Sequence, residues 1–383
     1  MRRALLLLLL TSSAFAGTLK ENVASSLDPQ QTYTLFLPAN YDAAKKYPLL
    51  LIFDPRGRGT AAAKIFTDAA DEYGWILISS NGTRSDESWK PNELALRALW
   101  PEVAQYPADP RRLYATGFSG TAMAAWLLAI HTGALAGVIG VGGRLVEETS
   151  PEKFTFAHYG FAGEHDFNNR EMRMIDAILA REKKTHRFQQ FDAQHRWITP
   201  ELARDAFGWF ELIAMKEQRR PRDEALIAKL YERDLAAAKT LQQYRAIAET
   251  FDGLRNVDEV RATVARLERD PAVQRELKEE KKWDEFEERY GKETLGRIPQ
   301  IFAALRQEDI IRVPMRLMRE FQISDLKRRA AKPGAEGAAA QRILLAVQAQ
   351  MAFYVPRQLE ERGEGQLAEA ARKVAAEINI RQP

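Results

Sequence analysis

Over the first half of the chain, short apolar runs alternate with longer amphipathic stretches. Residues 32–37, 49–53, 75–79, 112–116, 137–141, 156–161 and 186–191 read as strands, being brief and continuously apolar or rich in β-formers. The last, HRFQQF, is more polar and reads as an edge. Between them, residues 61–72, 91–105, 121–131, 170–182 and 201–215 carry helical spacing. Strands separated by helices of this length predict a parallel sheet with crossover helices. Continuous apolar strands predict a sheet covered on both faces. The second half changes character. Residues 223–251, 257–267, 272–290 and 295–305 all read as helix. A break at Pro333-Gly334 precedes a final pair over 338–358 and 365–378, joined around Gly363-Glu364-Gly365. No fixed period emerges, so an irregular bundle and a degenerate helical repeat both stay open.

Charge follows the same division. Residues 217–383 hold 32 Lys and Arg and 29 Asp and Glu, more than half the charged residues of the 383-residue chain. The join lies at Lys216-Glu217-Gln218-Arg219-Arg220-Pro221, a charged stretch ending in proline. The expected organisation is therefore a leader over 1–16, an α/β domain over 17–216 and an all-α domain over 217–383. The short Lys/Glu runs around Leu277 to Trp283 read as a solvated helical face.

The leader is read from Met1-Arg2-Arg3, the apolar run Ala4 to Leu10, and the small residues of Ala14-Phe15-Ala16. This is the pattern of a secretory signal, predicting an exported protein, periplasmic or extracellular, that begins at Gly17. The apolar run is far below the roughly 18–20 residues of a spanning helix, and no transmembrane segment is expected.

Composition narrows the chemistry. With 45% hydrophobic and 28% charged residues the chain is of ordinary globular type. A net charge of +3 makes no case for nucleic acid. The absence of cysteine excludes thiol catalysis, disulfides and cysteine–zinc sites, and five histidines argue against a histidine-rich metal cluster. No cofactor and no metal site is expected. Oligomeric state is not legible.

The most informative stretch is Thr116-Gly117-Phe118-Ser119-Gly120-Thr121-Ala122. It runs from strand through a tight turn into helix, which holds a serine in strained backbone with its hydroxyl above the sheet. Residues two before and two after must be small. Gly117 fits, while Thr121 departs from the strict G-x-S-x-G pattern. The helix N-terminus and the Gly120 N–H favour an oxyanion. His195, just past the last strand, is the candidate base. Asp166, just past the preceding strand, is the candidate orienting acid, with Asp192 and Glu164 as rivals. The order Ser119, Asp166, His195 is the Ser…Asp…His order of the α/β-hydrolase fold. A second oxyanion donor belongs after the early strand, in Phe53-Asp54-Pro55-Arg56-Gly57-Arg58-Gly59. Pro55 has no N–H, leaving Arg56 or Gly57.

On PLLLIFDPRGRG, TGFSGTA, FAGEHDFN and FDAQHRW, residues 30–215 resemble the α/β-hydrolase superfamily. They are most similar to its compact secreted branch, the feruloyl-esterase and polyhydroxybutyrate-depolymerase-like proteins and the phospholipase/carboxylesterase group. Asp54-Pro55 stands where that family usually has His-Gly. The resemblance implies an α/β-hydrolase fold with a mostly parallel sheet, and hydrolysis of an ester, small or polymer-linked, through an acyl-enzyme. Two other functions stay open: a prolyl-oligopeptidase-like peptidase, and a degenerate hydrolase whose helical half is a partner-binding scaffold. Arg84 and Trp89 are candidate substrate-binding residues. Arg56 and Arg58 lie on loops nearby. His165, beside Asp166, reads as solvated, and His131 and His158 as packed or capping.

Overall fold

The computed structural model describes residues 17–85, 88–306 and 308–378. The expected leader, residues 1–16, lies outside them. Eight strands form one sheet: β1 (Thr18–Ala24), β2 (Thr32–Leu37), β3 (Tyr47–Phe53), β4 (Ile76–Ser80), β5 (Ala108–Phe118), β6 (Gly137–Val141), β7 (Ala157–Gly163) and β8 (His186–Phe191). Their order is β1-β2-β4-β3-β5-β6-β7-β8. β2 pairs antiparallel with both β1 and β4, and β4 through β8 run parallel. Strand β1 is absent from the sequence reading because TLKENVA is charged and mostly exposed, as an outer edge strand is.

The helices α1 (Gly59–Tyr73), α2 (Lys90–Leu99), α3 (Gly120–Thr132), α4 (Asn169–Arg181) and α5 (Pro200–Lys216) lie between or after the strands. Alternate side chains of each central strand face opposite layers. Leu49, Leu51 and Phe53 pack with Trp126 of α3 and Ile175 of α4. Leu50 and Ile52 pack with Phe66 of α1 and Phe207 and Phe210 of α5. The sheet is therefore buried on both sides, which is why its strands read as unbroken apolar runs. The helix expected over 91–105 stops at Leu99, and Pro101–Gln105 continues as a 3₁₀ turn.

The remaining chain is helical: α6 (Glu224–Ala237), α7 (Leu241–Phe251), α8 (Asp258–Glu268), α9 (Pro271–Glu293), α10 (Ile298–Leu305), α11 (Val313–Glu320), α12 (Ile323–Ala330), α13 (Gly334–Ala349), α14 (Val355–Glu361) and α15 (Gly365–Glu377). The single helix expected over 223–251 is two. Thr240 caps α7, its hydroxyl accepting from the Gln243 N–H at 3.3 Å while the Gln243 side chain accepts from the Thr240 N–H at 3.1 Å. The eight-residue helices α11 and α12 were not anticipated. Two cores result. Helices α9 to α15 close around Leu317, Phe321, Leu344 and Val374. Helices α6 to α8 pack instead on Leu212 and Met215 of α5. Between α13 and α14 the backbone widens into a π-helical turn at Gln350–Tyr354. Among the described residues no helix is long and apolar enough to cross a membrane.

Candidate active site

Ser119 sits where β5 turns into α3, with φ 56° and ψ −131°. A non-glycine residue at positive φ is strained, and such strain concentrates at functional sites. The turn is so tight that a Cβ on Gly117 would lie 2.1 Å from the Thr121 carbonyl oxygen. Thr121 is fully buried, and its hydroxyl lies 2.6 Å from the Phe53 carbonyl and 2.8 Å from the Phe118 carbonyl. A threonine here therefore stitches the turn to the end of β3, a bond glycine cannot make.

His195 lies between β8 and α5, and Asp166 between β7 and α4. The structure brings both to Ser119. His195 Nε2 is 2.8 Å from Ser119 Oγ, and His195 Nδ1 is 2.9 Å from both carboxylate oxygens of Asp166. Asp166 is fully buried and accepts the Asn168 N–H at 2.8 Å. A carboxylate on Nδ1 fixes the tautomer that leaves Nε2 free to accept the serine proton. Gly142, at φ 50°, clears the space, since a Cβ there would lie 2.6 Å from Asp166 Oδ2. Phe118 and Phe167 hold the imidazole between ring centroids at 4.5 and 4.2 Å.

The rivals stand elsewhere. Asp192 and Glu164 are exposed, and His195 has Asp166 as its carboxylate partner. His131 is exposed, His158 is buried between Trp126 and Phe154, and the His165 N–H donates to the Ala193 carbonyl at 3.0 Å.

Of the two expected oxyanion donors, the Gly120 N–H opens the first turn of α3, with no acceptor among the described residues. The Arg56 expectation is corrected. Its N–H is spent on Asp54 Oδ1 at 2.8 Å, and the Gly57 N–H on the Asp54 carbonyl at 3.2 Å. The cause is Asp54 itself, which is buried and accepts from the Arg58 backbone at 3.1 Å, the Arg58 guanidinium at 3.2 and 3.3 Å, and Trp197 Nε1 at 2.9 Å. Burial opposes its charge, but these donors outweigh it and hold the carboxyl below its ordinary range. Asp54 thereby ties the loop after β3 to the segment carrying His195.

Ser119 and Gly120 open into a cleft of about 740 Å³. Arg84, Trp89, Met123, Arg144 and Phe167 line one bank, and residues of α13, the π-helical turn and α14 line the other. Arg84 also donates from Nη1 to the Asn81 and Thr83 carbonyls at 3.1 and 2.7 Å, so its head is partly committed to its own loop. Glu171 reaches the same cleft, and burial pushes its carboxyl up to about 7, against the Leu145 N–H and the nearby Arg144. The sequence reading missed Arg144, Glu171 and the whole second bank. Nothing local marks residues that face a site only after helices dock. Among the described residues no cluster of His, Asp and Glu is placed to hold a metal ion.

No protein-family model matches the chain, and no curated protein matches it. Solved structures do. A fluorophosphonate-binding serine hydrolase of Staphylococcus aureus is 14% identical, at TM-score 0.44, over 51% of this chain and 98% of that one. A ferulic acid esterase of Anaeromyces mucronatus in complex with ferulic acid is 16% identical, at TM-score 0.41, over 50% of this chain and 89% of that one. A putative dipeptidyl aminopeptidase IV of Bacteroides ovatus is 12% identical, at TM-score 0.43, over 52% of this chain, which spans 36% of that protein's length. Sheet order, the antiparallel second strand and the strained serine between β5 and α3 give the chain its place: it has the α/β-hydrolase fold, extended by a helical C-terminal region.

Proposed function

We propose that this chain is an exported serine hydrolase that cleaves carboxylic esters through an acyl-enzyme. One observation carries the reading: Ser119 Oγ, His195 and Asp166 form a continuous hydrogen-bonded line at 2.8 and 2.9 Å from a strained turn. Ser119 Oγ attacks the ester carbonyl carbon while His195 Nε2 takes its proton. The Gly120 N–H, at a helix N-terminus, faces the charge that develops on the carbonyl oxygen. As the C–O bond breaks, His195 returns the proton to the departing alcohol. Water then attacks the acyl-enzyme with His195 again as base, releasing the acid. Asp166 stabilises the imidazolium throughout. Export rests on the basic start, apolar run and small residues of positions 1–16.

The test is intact mass and peptide mapping of the protein after treatment with a fluorophosphonate, together with turnover of p-nitrophenyl esters. A single adduct on Ser119, and loss of turnover in Ser119→Ala, support the assignment. Undiminished turnover in Ser119→Ala would falsify it.

A further inference from the structure

We propose that the C-terminal helices supply the specificity face of the Ser119 cleft, with Phe353 holding an apolar group of the substrate against Trp89 on the opposite bank. The inference rests on the ester-hydrolase reading of Ser119 and deepens it.

Three observations carry it. The first is exposure. Single exposed apolar side chains are ordinary, but several gathered in one cleft mark a binding groove. Phe353 is 64% exposed, Trp89 38% and Tyr354 37%, and all three line the cleft that contains Ser119. The two banks come from opposite halves of the chain, so the grouping is made by the fold.

The second is the backbone. Phe353 and Tyr354 belong to the face, running from Ala346 to Glu361 at helical spacing, that this segment turns to the cleft. They lie in the π-helical turn Gln350–Tyr354, and both line it. Such turns recur at functional sites. Ala346 and Ala349 continue the same bank with small side chains, leaving room beside the aromatic pair.

The third is charge. Arg357, on this bank, is paired with Glu361 at 3.2 Å, and Arg84 is engaged by its own loop carbonyls. Of the cations that line the cleft, Arg144 remains exposed on the Ser119 bank, and Phe353, Tyr354, Trp89 and Met123 supply the apolar surface that the two banks present. The occupant is the alkyl or aryl portion of the ester beyond the scissile bond, continuous with the carbonyl at Ser119.

The test uses the protein itself and two matched ester series. One varies the acyl chain on p-nitrophenol, acetate against octanoate. The other varies the alcohol of a butyrate, ethyl against 2-phenylethyl. The readout is the ratio of kcat/KM for the large ester to that for the small one. Losing a ring contact in an apolar pocket is expected to lower this ratio about tenfold in Phe353→Ala, chiefly through KM, in at least one series. Phe353→Leu restores most of it. Ile311→Ala, at a side chain 83% exposed and away from the cleft, leaves the ratio at the wild-type value. Because Phe353 is largely exposed, its replacement leaves the core intact. Fluorophosphonate labelling of the wild type is read first. An unlabelled Ser119 overturns both the hydrolase reading and this inference. A labelled Ser119 with an unmoved ratio in both series overturns this inference alone.

Discussion

Arg342 of α13 donates from Nη1 to the Glu164 carbonyl oxygen at 3.1 Å, across 178 positions of sequence. Glu164 stands two residues before Asp166. Arg342 is itself buried and holds Glu287 of α9 through contacts of 2.7 to 3.2 Å. Around it Arg170 of α4 pairs with Glu288 at 3.2 Å, and Arg173 pairs with Asp284. The helical region thus grips the loop that carries the candidate acid.

Removing Arg342 alone leaves the buried Glu287 carboxylate with Arg173 alone, at 3.8 Å. Arg342→Ala is expected to cost about 3–5 kcal/mol of stability, read by chemical denaturation. Replacing both partners, Arg342→Met with Glu287→Met, removes the charges together and should recover most of that loss. It does not restore the donor to Glu164. The double variant is expected to regain its denaturation midpoint while kcat stays about fivefold low; full recovery of kcat would show that the contact is structural only.

Asp166→Asn keeps the shape of the acid but presents an amide to His195 Nδ1. The wrong tautomer is then favoured, and kcat should fall by roughly three to four orders of magnitude with the fold intact. Single-turnover acylation with a p-nitrophenyl ester measures it directly.

Thr121→Val removes the hydroxyl that reaches Phe53 and Phe118 while keeping the volume. The buried carbonyls that share its one proton lose that donor, and the Phe118 N–H loses the oxygen it reaches at 3.3 Å, for an expected loss of about 1–3 kcal/mol. Thr121→Gly, which restores the stricter motif, should be no more stable. A denaturation midpoint at or above wild type for either variant contradicts the stitching role.

His158 is fully buried, and burial, with a smaller contribution from His186, depresses its pKa from 6.5 to about 3. The folded state therefore refuses a proton that the unfolded state accepts below pH 6.5. Stability is complete above 6.5 and falls as pH drops, by about 1.4 kcal/mol per unit at most, until the folded group titrates near 3. His158→Phe should flatten that part of the stability profile between pH 6.5 and 4. An unchanged acid slope would assign it to other groups.

Glu171 acts in the opposite range. Its pKa is raised from 4.5 to about 7, so its ionisation opposes folding as pH rises above 4.5, and the effect is complete above 7. Glu171→Gln is expected to be more stable than the parent at pH 8 and to lose that advantage by pH 5, as read by thermal melts at the two pH values.

Much of this was legible in the chain because the informative features are local. A strand, a small-residue turn and a helix around Ser119 lie within a dozen residues, and so do the strand ends that place Asp166 and His195 at the same edge of the sheet. The donor after β3 was not legible. Whether the Arg56 N–H faces a substrate depends on where the Asp54 carboxylate turns, and Trp197 and Arg58 decide that through space. The break before α7 was legible as Thr240 followed by Gln243, but continuous helical spacing on both sides masked it. The second bank of the cleft was not, because the residues 346, 350, 353 and 357 look like any amphipathic face until α13 docks.

Helix α5 has a further consequence. One side of it fills the layer against β3 and β6 with Phe207 and Phe210, and its last turns, through Leu212 and Met215, form the floor on which α6 to α8 rest. A chain ended at Lys216 would leave that floor bare, and a chain begun at Glu217 would lack it. The two halves are therefore not interchangeable cassettes. Transplanting this hydrolase fold beside another partner, or these helices beside another enzyme, requires α5 to travel with both.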